Sequence, residues 1–238
     1  MKLALYYIYL FLIAIPLLLT ITILAAGITI IGSALGGGRF FGYWPGSIWG
    51  RLFCIISLVR VKVYGRENIS RGQSYVFVAN HQGAYDIFSI YGYLGHNFRW
   101  MMKKSLERIP LVGYSCKVSG HIFVDNSSPS AVKATMEAAE RRLAGGMSVV
   151  VFPEGSRTLD GRMHAFRRGA FSLAVEFGLP VVPITIDGAY TILRRGSFLP
   201  RPGRITLTIH KPIEAPEGGR HELADLMDKS YKAIASAL

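Results

Sequence analysis

The segment from Asn80 to Asp86, Asn-His-Gln-Gly-Ala-Tyr-Asp, brings together two side chains that can act on a proton. On one ideal helix, His81 and Asp86 would differ in direction by roughly 140° and face apart. If His81 lies in a turn leading from a strand into a helix, its ring can fold back to the Asp86 carboxylate. Asp86 would then accept the Nδ1 hydrogen and leave Nε2 free as a general base. Taken alone, such a pair is more often a structural hydrogen bond or a helix cap.

A second polar segment, Phe152 to Thr158 (Phe-Pro-Glu-Gly-Ser-Arg-Thr), directly follows an apolar, strand-like run. Backbone N–H groups, the Ser156 hydroxyl and the Arg157 guanidinium share this loop, and such a set of donors can hold a phosphate. A turn without a ligand is the alternative. Glu154 suits a phosphate site only if it pairs with Arg157 or accepts a substrate hydroxyl, and we expect one of these. Further along, Arg168 adds a cation before a predicted helix.

Several common catalytic motifs are missing from the sequence. It has no G-x-S-x-G elbow, no G-x-x-x-x-G-K-[ST] loop, no strand-linked G-x-G-x-x-G and no H-E-x-x-H. Covalent hydrolases, nucleoside triphosphatases, dinucleotide enzymes and zinc proteases therefore lose their usual support. The two cysteines, Cys54 and Cys116, have neither metal-ligand spacing nor the number needed for a disulfide framework, which indicates buried thiols in a reducing compartment.

Short apolar runs that alternate with helical patterns must position these polar segments. Ser128 predicts a helix start with Pro129 in the first turn, ended by Gly145-Gly146, and a last helix is predicted from about His221 to Leu238. Alternating strands and helices predict an α/β fold with a mixed sheet flanked by helices. The predicted strands are residues 75–79, 98–102, 148–152, 181–186 and 205–209.

The start of the chain has the composition of a membrane segment. Residues 3–38 carry no charged side chain. This run exceeds the roughly 20 residues that cross a bilayer once and is longer than the apolar stretch of a secretory signal. One tilted span and a bent, two-part hairpin are both compatible with Pro16 and the glycines. We predict a retained, membrane-associated helical segment.

Residues 39–60 interleave aromatic and aliphatic residues with Arg39, Arg51 and Arg60. This composition suits a bilayer interface, while a buried core helix is the alternative. Arginines after an apolar run favour a cytoplasmic location for the rest of the chain, at the inner (cytoplasmic) membrane. We therefore divide the chain into an anchoring and interfacial segment, residues 1–60, and an α/β domain, residues 61–238.

Composition and charge limit the function further. The chain of 238 residues is 12% aromatic and only 18% charged, which excludes disorder and leaves room for a substantial core. A net charge of +12 predicts attraction to polyanions: nucleic acid, anionic lipid or acidic partners. Charge alone does not choose among them.

Together, the motifs resemble those of the 1-acylglycerol-3-phosphate (lysophosphatidic acid) acyltransferases, a family of glycerolipid acyltransferases. The resemblance covers residues 61–213 in the family's order. Two positions depart from the family pattern. Gly83 stands where the family often has serine, a difference that affects packing or a contact with a substrate hydroxyl. Asn126 stands where the family commonly has arginine, so a cation is missing there. Four ordered blocks carry the resemblance: Asn80, His81 and Asp86; Lys103, Leu106, Pro110 and Gly113; Phe152 to Arg157; and Val182-Pro183-Ile184.

The resemblance implies transfer of a fatty acyl group from acyl-CoA or acyl-carrier protein to the sn-2 hydroxyl of 1-acylglycerol-3-phosphate, giving phosphatidic acid. His81 would be the general base, Asp86 would orient it, and backbone N–H groups near Gly83 would stabilise the oxyanion. No activated Ser or Cys is in view, so no acyl-enzyme is expected. Neither a cofactor nor a metal is expected beyond the acyl donor. The predicted substrate-binding residues are Lys103, Glu154, Gly155, Ser156, Arg157 and Arg168.

The acceptor and the class of function each have an alternative. The acceptor could be glycerol-3-phosphate, an ornithine lipid or another lysophospholipid. A membrane-anchored nucleic-acid-binding module would also use the positive charge, but it predicts basic residues on one face with stacking aromatics. Here they are dispersed among apolar strands and within the motifs, so the expected partners are a lysophospholipid, the acyl donor and membrane lipids, and no nucleic acid.

Overall fold

The computed structural model describes residues 3–125, 127–216 and 220–238, and it contains the predicted α/β fold. Within these residues, seven strands form one mixed sheet in the order β1-β7-β6-β2-β5-β3-β4. The strands are β1 Val59–Tyr64, β2 Val76–Ala79, β3 Phe98–Lys103, β4 Ile122–Val124, β5 Ser148–Val151, β6 Val181–Asp187 and β7 Gly203–Ile209.

Strand direction decides which loops meet. Strands β2 to β6 run parallel to one another, β7 pairs antiparallel with β6, and β1 is parallel to β7. The carboxyl ends of β2, β3 and β5 therefore lie at one edge of the sheet, together with the amino end of β1. We call this the carboxyl edge.

Helices cover both faces of the sheet, as the alternating pattern predicts. Because side chains alternate along a buried strand, Phe77 packs into one core layer while Val76 and Val78 pack into the other. The helix predicted from Ser128 is present, with Ser128 Oγ accepting the Ala131 N–H at 3.1 Å. Helices α1 Leu3–Tyr9, α2 Ile15–Gly32 and α3 Gly38–Phe41 lie within the first 41 residues. The helices after them are α4 Trp44–Ile56, α5 Tyr85–Tyr93, α6 Val112–Val118, α7 Pro129–Ala144, α8 Gly169–Glu176, α9 Ala189–Leu193 and α10 Arg220–Ala235.

At its N-terminus, the described chain has one helix, Leu3–Phe41, that is long and apolar enough to cross a membrane. It includes π-helical turns at Leu10–Ala14 and Ser33–Gly37 and bends sharply at Gly36, whose φ is 89°. The bend lies near the end of the apolar run, at one of its glycines and not at Pro16. The chain thus makes a hairpin whose second arm is α4, not the second half of the apolar run.

The two arms are joined by hydrogen bonds. Trp49 Nε1 donates to Thr22 Oγ1 at 2.9 Å, and Tyr6 donates through its hydroxyl to the Ser57 carbonyl at 3.2 Å. Helix α4 has features of both a core helix and an interfacial helix, the two alternatives for residues 39–60. One of its faces is buried against α5, and the other exposes apolar side chains. The exposed ones include Trp44, Ile48 and Ile55.

Candidate functional site

His81 lies in the turn between β2 and α5, which is the condition for reaching Asp86. Its Nδ1 is 2.8 Å from Asp86 Oδ2, and the Gly83 N–H donates to the same oxygen at 2.8 Å. Asp86 is completely buried, so desolvation raises the pKa of its carboxyl, while the bonds from His81 and Gly83 oppose the rise. An imidazole held this way presents Nε2 away from the carboxylate.

Aromatic stacking fixes the plane of the His81 ring. The ring lies parallel to Phe152, with centroids 3.9 Å apart and an angle of 8° between the planes. Phe152 in turn stacks on Trp100 of β3, at 5.5 Å. Since Phe152 begins the second polar segment, the two motifs contact each other directly.

The backbone of His81 is also bound to this second segment. Its N–H donates to Glu154 Oε1 at 2.7 Å, and its carbonyl accepts the Thr158 N–H at 2.9 Å. The other Glu154 oxygen, Oε2, accepts the His164 N–H at 2.9 Å. Burial raises the pKa of Glu154, while the hydrogen bonds from the His164 and His81 amides oppose the rise.

These bonds change the interpretation of Glu154. Its pairing with Arg157, one of the two predicted roles, is not among the ion pairs of the described chain. Both carboxylate oxygens instead accept backbone hydrogens, so Glu154 is a positioning residue that joins the loop to the His81 turn.

Replacement of Glu154 by glutamine tests this positioning role. An amide has a single oxygen, so one of the two N–H groups would face the NH2 group and lose its acceptor. We expect the free energy of unfolding to fall by about 1–3 kcal/mol, measured by denaturant titration, with a lower kcat. A Glu176→Gln variant, in α8, is the control. Unchanged stability and unchanged kcat in Glu154→Gln would contradict the assignment.

Two neighbouring residues have structural roles. Asn80 extends the strand pairing, because its side chain exchanges hydrogen bonds with the Ile186 backbone at 2.7 and 2.8 Å. Gly83 lies against α9, where an added Cβ would be 2.7 Å from the Leu193 carbonyl oxygen. A side chain such as serine at this position would need α9 to shift.

The contacts of Gly83 also correct the expectation for the oxyanion. Its N–H is already donated to Asp86, and the Ala84 N–H is donated to the Leu193 carbonyl at 3.3 Å. Neither group is free for a substrate in this conformation. The first turn of α5 orients the carboxylate instead.

The predicted substrate-binding residues Lys103, Ser156 and Arg157 lie at the carboxyl edge and differ in how exposed they are. Lys103 ends β3 and is exposed, and the pairing of Trp100 with Val150 brings that end beside the start of the Phe152 loop. Arg157 is half-buried, and its backbone carbonyl accepts a hydrogen bond from the Arg195 guanidinium at 3.4 Å. Ser156 is exposed on the loop.

Arg167, rather than Arg168, contacts the loop. Gly155 has a φ of +77°, and an added Cβ there would be 2.8 Å from Arg167 Cζ. The Arg167 N–H also donates to the Pro153 carbonyl at 2.9 Å. Both arginine side chains are exposed, and Arg168 is the N-cap residue of α8. The Arg-Arg pair in the sequence was a signal for a cation here, but only the fold decides which arginine faces the loop.

Asn126, the second departure from the family pattern, lies outside the described residues. In the described part of the chain, no group of three or more His, Cys, Asp and Glu side chains is arranged to hold a metal ion.

Comparison with known proteins agrees with the motifs. A family model described as "Acyltransferase" matches residues 60–187. A 1-acyl-sn-glycerol-3-phosphate acyltransferase of Chlamydomonas reinhardtii is 34% identical over 181 residues, which are 75% of this chain and 53% of the relative. A chloroplastic enzyme of the same name from Arabidopsis thaliana is 31% identical over 198 residues, 80% of this chain and 55% of the relative. The chain thus spans about half the length of these curated relatives.

The fold has a solved counterpart of nearly the same length. The crystal structure of the 1-acyl-sn-glycerophosphate acyltransferase PlsC from Thermotoga maritima matches with a TM-score of 0.81 and 26% sequence identity, covering 98% of this chain and 93% of that one. The match extends beyond the α/β part, since it includes nearly all of the chain. With the family model covering more than half of the residues and the His81 and Phe152 motifs in contact, the chain belongs to the acyltransferase family.

Proposed function

We propose that the protein transfers a fatty acyl group from acyl-CoA or acyl-carrier protein to the sn-2 hydroxyl of 1-acylglycerol-3-phosphate, giving phosphatidic acid. The observation that carries this proposal is the 2.8 Å contact between His81 Nδ1 and the buried Asp86, beside a loop of phosphate-binding type. The names of the relatives support the choice of acceptor.

In the proposed reaction, His81 Nε2 accepts the proton of the acceptor hydroxyl while the hydroxyl oxygen attacks the thioester carbonyl. Asp86 keeps the hydrogen on Nδ1 and stabilises the imidazolium that forms. The tetrahedral intermediate then collapses, the carbon–sulfur bond breaks, and the leaving thiolate takes the proton from His81. Acyl transfer is complete without a covalent enzyme intermediate.

The oxyanion and the phosphate need donors other than the Gly83 turn. Within the described residues, the N–H groups of Ser156 and Arg157 donate to no internal acceptor. Left-handed Gly155, just before them, turns the backbone so that successive N–H groups can point to one side. We assign these groups and the Arg157 and Lys103 side chains to the bound substrates, with Arg167 as a further cation.

The acceptor is identified by offering the purified full-length protein a panel of lysophospholipids, glycerol-3-phosphate and a lyso-ornithine lipid, with either acyl-CoA or acyl-carrier protein as donor. Mass spectrometry of the products should show phosphatidic acid as the main product. Transfer only to another acceptor would replace the proposed substrate, and the absence of transfer to every acceptor would refute the acyltransferase activity.

Arg157→Ala is expected to separate acceptor from donor binding. Loss of a charge-assisted phosphate contact should lower kcat/KM for the acceptor by about tenfold or more, with a much smaller change for the donor. Steady-state kinetics with each substrate varied in turn measure both values, and the exposed Arg71 replaced by alanine is the control. A donor-only effect would move Arg157 to the donor side.

We further propose that residues 1–60 associate with the membrane and that the α/β domain lies on the cytoplasmic side, at the inner membrane. The acyl chain and the acceptor are both dissolved in a bilayer. An active site that opens at the membrane therefore avoids moving these chains into water, which would cost about 0.8 kcal/mol for each CH2 group. The chain contributes a suitable surface, because the Leu3–Phe41 helix exposes most of its apolar residues.

Removal of residues 1–38 should lower activity even on detergent-dispersed lysolipid. Tyr6 and Tyr9 donate to the Ser57 and Ile56 carbonyls, just before β1 begins at the carboxyl edge. Loss of this support should misplace the site and cost up to about 10²-fold in kcat. A full-length Tyr6→Phe/Tyr9→Phe variant keeps the anchor and should lose part of that activity. A folded truncated protein with undiminished kcat would reduce the segment to a tether.

A further inference from the structure

A cluster of arginines surrounds a cavity of about 250 Å3 at the amino ends of the parallel strands, whereas His81 lies at their carboxyl ends. Arg99 is the second residue of β3, so it lies at the amino end of that strand, while Lys103, the last residue of β3, reaches the carboxyl edge. The cavity is therefore distinct from the candidate active site. We call it the arginine pocket, and it is lined by Gly38, Arg39, Arg99, Val118, Ser119, Arg141, Arg142, Gly145 and Met147.

Arg99 is the unusual member of the pocket because its charge is buried. Only 4% of the residue is exposed. Its guanidinium donates to Asn97 Oδ1 at 2.9 Å, to the Phe98 carbonyl at 3.0 Å and to the Gly38 carbonyl at 3.3 Å. All three acceptors are neutral. A buried charge is costly unless an opposite charge accompanies it. These hydrogen bonds give the guanidinium N–H groups acceptors but leave its positive charge without a negative partner.

The surroundings of Arg99 add positive charge instead of removing it. Burial and the nearby Arg142 and Arg39 lower the pKa of Arg99 to about 10. His121, which also lies close to Arg99 and Arg142, has its pKa lowered to about 3 by burial and by these cations, so it remains neutral. In the part of the chain that the structure describes, every ion pair is made by a lysine or a histidine, so none neutralises an arginine of the pocket.

Two glycines let the guanidinium groups lie close to the backbone. An added Cβ at Gly120 would be 2.7 Å from Arg142 Cζ, and one at Gly42 would be 2.9 Å from an Arg99 terminal nitrogen. Cations at the end of α7 suit the helix dipole, which accounts for Arg141 and Arg142 by themselves. The dipole does not account for Arg99, which belongs to a strand. Four arginines converging without a carboxylate leave a place for an anion.

The position of the pocket in the fold indicates which anion fits. Gly38 and Arg39 lie just after the bend, near the end of the Leu3–Phe41 helix, and apolar side chains beside them are exposed: Leu35 by 82%, Phe40 by 56% and Trp44 by 47%. An arginine-lined cavity next to such a surface corresponds to the depth of lipid headgroups, with the apolar side chains at the level of the acyl chains. A free phosphate ion would use the arginines but gain nothing from the apolar residues.

We propose that the arginine pocket binds the phosphate of an anionic membrane phospholipid that is neither substrate nor product of the reaction. The bound headgroup would supply the missing negative charge beside Arg99, and its acyl chains would lie along Leu35, Phe40 and Trp44. The pocket then fixes the depth and orientation of the protein at the bilayer. This inference depends on the membrane association proposed above, not on the identity of the acceptor.

The test uses the full-length protein in non-ionic detergent, without acyl donor, titrated calorimetrically with dihexanoyl phosphatidylglycerol. Arg141→Ala/Arg142→Ala is the main variant, because both residues are exposed and the fold should tolerate their loss. We expect an affinity about tenfold or more below that of the unchanged protein, since each lost contact is a charge-assisted bond. Arg71→Ala/Lys133→Ala removes the same charge from exposed sites outside the pocket and should leave the affinity within about twofold.

Further arms separate the sources of the anion. Dihexanoyl phosphatidylcholine should bind at least about tenfold more weakly than phosphatidylglycerol, because its headgroup has no net charge. Equal binding of phosphatidylcholine, or equal losses in both double variants, would overturn the proposal. Inorganic phosphate that binds as tightly as the lipid would overturn it in favour of a free-phosphate site.

Acyl transfer to detergent-dispersed lysolipid is measured on the same preparations. The pocket variant should keep the turnover of the unchanged protein, because neither arginine belongs to the candidate active site. Loss of lipid binding with retained turnover supports the pocket. If the unchanged protein binds phosphatidylglycerol but transfers no acyl group, the proposed reaction fails while the pocket stands.

Discussion

Replacement of His81 by alanine is expected to lower kcat by about 10²–10⁴-fold, the usual contribution of a general base. The structure gives the reason, because His81 is the histidine whose Nδ1 is bound to a buried carboxylate while its ring lies against the Phe152 loop. Substrate binding relies on other residues, so KM for the acceptor should change little. Single-turnover measurements with saturating acyl donor isolate the chemical step.

The fold and the membrane association of this variant should remain intact. The His81 backbone bonds to Glu154 and Thr158 do not involve the ring, so they survive the substitution. His210→Gln is a matched control, since that histidine contacts Thr185 Oγ1 at 2.8 Å and lies outside both motifs. Turnover of folded His81→Ala within about threefold of the unchanged protein would exclude a base of the expected size.

The fold was accessible from the sequence because its elements carry strong local patterns. Residues 75–79 and 181–186 are apolar apart from Thr185, as is typical of strands buried on both faces, and both are present as β2 and β6. Strands β1 and β4 were not predicted. Strand β1, Val59–Tyr64, crosses the predicted boundary at residue 60, and β4 is only three residues long, too short to have a periodicity of its own. The pairing of β1 with β7 also joins segments that nothing in the local sequence connects.

The site could be predicted only where it is local. His81 and Asp86 are five positions apart, so a turn suffices to join them. The bond from the His81 N–H to Glu154 spans 73 positions and exists because β2 and β5 are neighbours in the sheet. Sequence reasoning therefore gave Glu154 a substrate role, since a buried acceptor of backbone hydrogens has no signature in the residue itself.

The same limit applies to the backbone donors. An N–H at the start of a helix is ordinarily a free donor, which made Gly83 a natural choice for the oxyanion. In the structure, the Asp86 carboxylate takes that hydrogen, because the side chain folds back over its own first turn. Whether a terminal N–H is free depends on side-chain direction, and the residue types alone do not determine it.

Asp86→Asn should reduce kcat almost as much as the loss of His81, by up to about 10⁴-fold in comparable catalytic arrangements. The asparagine keeps the size of the side chain, but its amide group presents either an oxygen or an NH2 group. At the Oδ2 position an oxygen must accept both the His81 Nδ1 hydrogen and the Gly83 N–H, as Asp86 does now. An uncharged oxygen there still orients the ring but stabilises the imidazolium far less.

The Asp86→Asn substitution should lower the activity without lowering the stability of the fold. Burial already raises the pKa of Asp86, which means that the charged carboxylate is disfavoured in its surroundings. Replacing a buried charge by a neutral isostere should therefore leave the free energy of unfolding unchanged within about 1 kcal/mol, or increase it. Thermal or denaturant unfolding of the variant measures this, and a loss of several kcal/mol would show that Asp86 is chiefly structural.

A double variant separates a shared role from two independent ones. If Asp86 acts through His81, then His81→Ala/Asp86→Asn should be no slower than His81→Ala alone, because an orienting group has nothing left to orient. If the two side chains contribute independently, their effects on kcat should multiply. A multiplicative double variant would assign Asp86 to the scaffold of the turn and leave His81 to act without it.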